Sequence, residues 1–304
     1  MRNAPASEPR GVFVGLATLD VIHRIAEPPA ANQKITAAAQ FVAAGGPAAN
    51  AAVTFAALGG TAVLVTALGA EPVADLVRSD LVAHGVEVID AAAGTSRPVP
   101  VSSVSVVEGT GDRAVVSLDA VASDVAAPPA LDTLIAGADV VLVDGHHPAI
   151  GVAAARSAVA QQVPCVVDAG RWKPVMADLI REGSDMVCSG DFRTPGTDSP
   201  EVTARALLDG GAPTVVITAG AEPIRWWSAG DSGSVPVPRV EVRDTLGAGD
   251  AFHGAYCYFG AAGVVRLDER VAAAARVAAL RCSVIGPRAW LAELPSIEGG
   301  SGDH

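Results

Sequence analysis

Cysteine, aromatic residues and clustered positive charge are all scarce in this chain, and each shortage closes off a class of protein. The four cysteines, Cys165, Cys188, Cys257 and Cys282, lie far apart. They form no C-x-x-C pair and no Cys/His ligand spacing, so neither a disulfide framework nor a structural zinc site is expected. They read as reduced, mostly buried thiols. Aromatic residues make up only 4% of the 304 residues. With half the chain hydrophobic, the core has to be built from Ala, Val, Leu and Ile, with Ala-lined helices packed close to a sheet. Basic runs are absent and the formal charge is −12. That argues against a nucleic-acid partner, because phosphate backbones are bound through clustered Lys and Arg. No apolar run reaches the roughly 18 residues a membrane-spanning helix needs, so no membrane partner is expected either. Residues 1–10 are polar and Pro/Ala-rich, without the apolar stretch of a secretion signal. The expectation is a soluble, cytoplasmic protein.

What the chain does contain is a repeated alternation. Val-rich runs at 11–17 (GVFVGLA), 62–66, 140–143, 165–167 and 214–217 are separated by Ala-rich helical stretches at 48–58, 73–84, 150–161 and 200–208. Continuous apolar strands alternating with helices predict a doubly wound α/β fold, a mainly parallel sheet covered on both faces. Two regions break the rhythm, 35–44 (ITAAAQFVAA) and 99–118, where VPVSSVSVVE and RAVVSL flank the turn GTGD. Period-two alternation around a Gly/Asp loop predicts a hairpin. These inserted strands predict a small accessory sheet, either a lid over a cleft or an ordinary edge hairpin. Two more Ala-rich helices are expected at 248–262 and 268–284. The reading is a single α/β domain over 11–297, with flexible tails at 1–10 and 298–304.

The most informative segment is VRDTLGAGDAFHGAYCYFG, residues 242–260. Gly247, Ala248 and Gly249 suit a tight turn whose backbone N–H groups open a helix, an anion hole backed by the helix dipole. Asp250 then falls in the first turn, where a carboxylate also suits a helix start with no chemistry attached. The longer string D-T-x-G-A-G-D-x-F resembles the C-terminal signature of the PfkB/ribokinase-like carbohydrate kinases. That resemblance implies that Asp250 is the base taking the proton from a substrate hydroxyl, with Gly247, Ala248 and Gly249 as the anion hole, and that ATP and Mg²⁺ are used. Phosphoryl transfer depends on positioning and charge stabilisation, which such a turn supplies. The net negative charge is no obstacle, since helix-start N–H groups and a bound Mg²⁺ counter phosphate charge locally.

A second string, Gly45-Gly46-Pro47-Ala48-Ala49-Asn50, is similar to the family's sugar-binding box, which makes Gly45, Gly46 and Asn50 substrate-binding candidates. By the same resemblance Asp20, placed just after the first strand, bonds sugar hydroxyls. Asp144 and His146 in VLVDGHHP stand at a strand end, where α/β folds gather ligand groups, although a lone histidine there is often structural. Arg97 and Arg113, flanking the hairpin strands, are candidates to reach into the cleft, Arg97 toward substrate and Arg113 toward nucleotide. Asp168 and Arg171 in VVDAGRWKP resemble the family's D-x-N-x-R segment, with Gly170 where Asn is frequent. On the nucleotide side Thr218 and Gly220 match a T-x-G turn, and Cys282 and Gly286 border the expected adenine site. The resemblance also implies a monovalent cation (K⁺) near Asp244 and the loop around Gly286.

The sequence also departs from the pattern. Where relatives carry N-x-x-E, this chain reads Ser189-Gly190-Asp191-Phe192, leaving Asp191 as the magnesium candidate. The stretch Gly69-Ala70-Glu71-Pro72 lacks the frequent G-x-D-x-x-G form. LDVI, GGPAAN, F-H-G-A and the A-A-L-x-C-x-x-x-G ending are most similar to the ketohexokinase-like and sulfofructose-kinase-like branch, implying a ketose or related small sugar. Two alternatives stay open. One is a nucleoside kinase, disfavoured because only Phe41 offers an aromatic surface near the lid; the other is a non-catalytic sugar or nucleotide sensor. A homodimer through lid strands is a further implication of the resemblance.

Overall fold

The computed structural model describes residues 8–120 and 123–294. Residues 1–7 and 295–304 lie outside that range, and with them most of the two expected tails and the end of the 11–297 domain. The described chain opens with strands β1 (Arg10–Val14), β2 (Thr18–Ile25) and β3 (Ala39–Gly45), then helix α1 (Pro47–Ala57), β4 (Thr61–Thr66), α2 (Pro72–Ala83) and β5 (Val86–Asp90). The hairpin β6 (Val101–Val107) and β7 (Arg113–Val116) follows. Strands and helices then alternate through α3 (Leu131–Ala136), β8 (Val140–Val143), α4 (Pro148–Ala160), β9 (Cys165–Ala169), α5 (Met176–Arg181), β10 (Asp185–Cys188), α6 (Pro200–Asp209) and β11 (Thr214–Ala219). A second hairpin, β12 (Glu222–Ser228) and β13 (Asp231–Val235), precedes α7 (Ala248–Ala261), α8 (Leu267–Ser283) and a 3-10 turn at Ala289–Glu293.

The strands form two sheets. Nine run in the order β13-β12-β11-β10-β9-β8-β1-β4-β5, all parallel except the hairpin pairings of β12 and β13. Alternate residues along β1 feed opposite faces: Phe13 joins the layer under α1 and α7, whereas Val12 and Val14 join the layer under α4. That is why the apolar runs are continuous, as expected of strands covered on both sides. The order reverses at β1, so a crevice opens beyond the carboxyl ends of β1 and β8.

The second sheet, in the order β3-β2-β6-β7, is the accessory lid. β6 and β7 pair as the expected antiparallel hairpin. Two expectations need correcting. The first strand ends at Val14, and the run 11–17 bends at Gly15 into β2. Asp20 therefore follows the first core strand but lies within a lid strand, β2. The lid strand β3 begins only at Ala39, because residues 35–38 of the expected 35–44 region carry no strand.

Small residues bring two helices unusually close. A Cβ on Gly254 of α7 would fall 2.3 Å from Ala51 O of α1. This contact sets the first turns of α1 and α7 side by side, and those turns carry Asn50 and Asp250. No described helix is long and apolar enough to cross a membrane.

Candidate active site

The two glycine-containing strings meet in space. Asn50, at the start of α1, donates through Nδ2 to Asp250 Oδ2 at 2.8 Å. Among the described residues Asp250 Oδ1 accepts no hydrogen bond. Burial, the nearby Asp168 carboxylate and, more weakly, Asp20 push the Asp250 carboxyl up to about 6, against the Asn50 hydrogen bond and the His253 ring. Gly247, the residue before α7, has the left-handed φ of 74°. Ala248 N–H leans on Thr245 O at a long 3.3 Å, while Gly249 N–H has no backbone partner among the described residues. The first turn of α7 thus presents open donors beside the carboxylate, as helix starts do.

Asp20 lies on the lid strand β2, where Thr18 Oγ1 donates to its Oδ1 at 2.6 Å. The neighbouring strand β3 ends at Gly45, where a Cβ would fall 2.0 Å from Asp20 Oδ2. Only glycine lets this carboxylate occupy its place. Gly46 follows with φ 98° and leads into α1. Asp20, Asn50, Gly247, Leu246, Arg281 and Arg288 line one concavity. The lid closes on it through Ile22, Val104 and Val106, which pack with Phe41 and Leu246. Phe41 also covers Gly286.

Several candidates occupy different positions from those their sequence context suggested. Asp144 is 1% exposed, and its carboxylate accepts from Leu16 N–H at 2.8 Å, Ala48 N–H at 3.2 Å and His146 N–H at 2.8 Å. It fixes the β1 end, the start of α1 and the β8 end together, and does not face the cleft as a free ligand. His146 is buried with Nδ1 unpartnered, and burial lowers its pKa, which keeps the ring neutral. Arg97 packs its stem against Gly69, away from the Asp20–Asn50–Asp250 group. Arg113 Nη1 reaches the loop before α7, donating to Thr245 Oγ1 at 3.0 Å, and Thr245 Oγ1 in turn donates to Gly111 O at 3.0 Å. The lid hairpin is thereby latched to the loop that leads into α7.

On the far side, Thr218 Oγ1 donates to Cys188 O at 3.3 Å and Gly220 turns β11 into β12 with φ 61°. Burial raises the pKa of the Cys282 thiol, and it is the carbonyl of Cys282 that matters, accepting from Arg243 and Asp244 N–H. Gly286 N–H donates to Asp244 Oδ2 at 3.1 Å. Asp191 is exposed in the turn after β10. Among the described residues no group of three metal-ligating side chains forms, but Mg²⁺ that enters with phosphates needs only one or two protein carboxylates.

Three residues the sequence did not single out complete the site. Arg288 Nη1 donates to Asn50 Oδ1 at 3.1 Å, and its Nη2 to Ala44 O at 2.8 Å and Asp80 Oδ2 at 3.0 Å. It thereby sets the amide orientation that points Asn50 Nδ2 at Asp250. His253, one turn after Asp250, places Nδ1 2.7 Å from Gly249 O and Nε2 3.1 Å from Val187 O. Both partners are carbonyls, which only accept, and Asp168 Oδ2 lies 3.5 Å from Nδ1. Arg281 lies behind the turn, paired with Asp244. In sequence His253 stands within the F-H-G-A string, Arg281 at an open position of the A-A-L-x-C-x-x-x-G ending, and Arg288 two positions beyond that ending.

A family model described as pfkB family carbohydrate kinase matches residues 10–293. The ribokinase of Bacillus subtilis (strain 168) is 23% identical over 256 residues, spanning 80% of this chain and 83% of its own length. The structure of Arabidopsis thaliana ribokinase complexed with ribose and ATP superposes with a TM-score of 0.77 at 20% identity, over 96% of this chain and 99% of that one. The Xylella fastidiosa fructokinase with bound ATP gives 0.73 at 20% identity, over 97% and 99% of the two chains. At such identities the structures show a shared fold.

Proposed function

The chain belongs to the pfkB family of carbohydrate kinases, and we propose that it moves the γ-phosphoryl group of ATP onto a hydroxyl of a small ketose or related sugar, with Asp250 as the base. The observation that supports this reading most is the 2.8 Å bond from Asn50 to Asp250, which joins the sugar-box string to the helix start carrying the carboxylate. The sugar would lie between lid and sheet, with Asp20 and Asn50 at its hydroxyls. Asn50 holds one Asp250 oxygen in place and leaves the other to take the hydroxyl proton.

The raised pKa suits that task. At about 6 the carboxylate is still mostly ionised at neutral pH, yet it is a stronger base than an ordinary aspartate, which is how general bases are tuned. The open N–H groups at the start of α7 face the charge that develops on the transferred group. ATP, when bound, supplies that group, with Gly247–Gly249 as its anion hole and Thr218, Gly220, Cys282 and Gly286 bordering the rest. Magnesium, for which Asp191 is the available carboxylate, would offset phosphate charge. Lid closure over Leu246 keeps water from the attacking position and limits wasteful hydrolysis.

A homodimer through the lid belongs to the same reading. Val42 of β3, Val101 of β6 and Val116 of β7 share one face of the lid and are exposed, Val116 to 75%, and a second copy of this sheet would cover them. The test of function is ADP release from Mg·ATP across ketoses, aldoses, sugar acids, sulfosugars and nucleosides, with D250N as the blank. Activity on ketoses that D250N lacks supports the proposal. Activity on ribose alone removes the ketose assignment, nucleoside phosphorylation points to a nucleoside kinase, and ATP binding without turnover on any sugar points to a sensor.

A further inference from the structure

The resemblance to the family implies a monovalent cation beside Asp244 and the Gly286 loop, and the side chains at that place do not fit one. Asp244 is 3% exposed. Its Oδ1 accepts from Leu246 N–H at 3.0 Å and its Oδ2 from Gly286 N–H at 3.1 Å. The same Oδ2 lies 3.2 Å from Arg281 Nη2, and Arg281 Nη1 donates to Val284 O at 3.0 Å. A potassium ion in this loop would have to draw on that carboxylate and on loop carbonyls. Here one guanidinium, itself only 2% exposed, already satisfies the carboxylate oxygen and the carbonyl of Val284. A second positive charge beside it, in a site shielded from water, would be strongly repelled.

We propose that Arg281 is the built-in cation of this protein, so that the turn before α7 is held without potassium. The contacts run in an unbroken line. Arg281 on α8 pairs with Asp244, Asp244 accepts from Leu246 N–H, and Leu246 precedes Gly247, the residue that opens α7 and its free N–H groups. The carbonyl of Cys282, in the last turn of α8 next to Arg281, accepts from Asp244 N–H at 3.1 Å and so fixes the same residue from its backbone side. A guanidinium stays charged at every pH the protein meets and is covalently present in every molecule. The turn is then set whatever the ionic composition around it. Arg281 is a positioning residue, since it touches neither Asp250 nor the open N–H groups.

The test compares full-length native protein with R281A in potassium chloride and in tetramethylammonium chloride at equal ionic strength, the latter cation being too large for the loop. Two readouts are taken, the melting temperature, which needs no substrate, and the rate of phosphoryl transfer, which rests on the kinase reading. For the native protein both should be the same in the two salts. R281A should melt lower in tetramethylammonium and recover part of the loss in potassium, because the Asp244 carboxylate and Val284 O become available to the ion. Its transfer rate should rise roughly tenfold with potassium, an ordinary size for coupling between a bound effector and a site. A potassium-specific rise in either readout for the native protein overturns the proposal, as does an R281A that ignores potassium in both. If R281A does not fold, R281Q, which keeps a donor for Val284 O, takes its place. Melting shifts as expected with no transfer in any salt would count against the kinase reading and leave the Arg281 assignment standing.

Discussion

Replacing Asp250 with Asn separates chemistry from folding, because the two effects have opposite signs. Burial and Asp168 lift the native carboxyl from 3.8 to about 6. A carboxyl with a folded pKa above its unfolded value binds its proton more tightly when folded. Folding stability is therefore fully retained below pH about 4, falls between about 4 and 6, and stays reduced above. Two pKa units correspond to a ceiling of roughly 3 kcal/mol, and partial solvent access brings the expected figure to about 1–2 kcal/mol. The side-chain amide of D250N does not titrate, and its carbonyl oxygen can still accept from Asn50 Nδ2. D250N should therefore melt a few degrees above the native protein at pH 8 and level with it at pH 4. Its turnover, measured as ADP release with the active sugar, should fall by roughly two to four orders of magnitude, the usual worth of a general base. A D250N protein that turns over within about tenfold of native, or that is less stable at pH 8, would refute the assignment of Asp250 as a buried base held at a cost to stability.

The pH–rate profile of the native enzyme should rise through pH about 6 and then level off; H253Q, which removes the ring that lowers the Asp250 pKa, should move that limb to higher pH, and an unmoved limb would mean the ring does not tune the base. G45A puts a Cβ 2.0 Å from Asp20 Oδ2, so the KM for sugar should rise about 10- to 100-fold, the worth of a charged hydrogen bond, with little change in the KM for ATP; equal changes in both would dissociate Asp20 from the sugar. R288A frees the Asn50 amide to rotate and should lower kcat/KM by about a hundredfold, as small misplacements of positioning groups do, and R288K should rescue only part of it because one ammonium cannot reach Asn50, Ala44 O and Asp80 together. V116D should shift the sedimentation of the protein from dimer to monomer without lowering its melting temperature, and a native protein that sediments as a monomer removes the lid dimer.

How much of this could be read in advance depended on whether a residue's partner was local. The parallel sheet announced itself because β1, β4, β8, β9 and β11 each carry a continuous apolar run, and the hairpin of β6 and β7 did so through a turn between two alternating runs. β2 was hidden for two reasons. It follows β1 across Gly15 with no polar break, and its parallel partner β6 begins at Val101, paired with Leu19, a pairing no local pattern encodes. The edge hairpin β12–β13 and the short β5 and β10 are too mixed in composition to stand out. The same distinction runs through the site. The turn at Gly247–Gly249, proposed as the anion hole, and Asp250 are one continuous string, so their adjacency was legible. Asp144 was legible as a strand-end carboxylate, but its task, three backbone amides brought together at one point, depends on how the ends of β1 and β8 converge. Arg281 makes the point most sharply. In sequence it is one arginine among several on an Ala-rich helix, where arginines normally face water. The packing of α8 against α7 turns its face inward, and the Asp244 carboxylate with Val284 O then makes burial of its charge tolerable. Whether a basic residue is a solvated helix face or an internal counter-ion is decided by that packing, which no local pattern encodes.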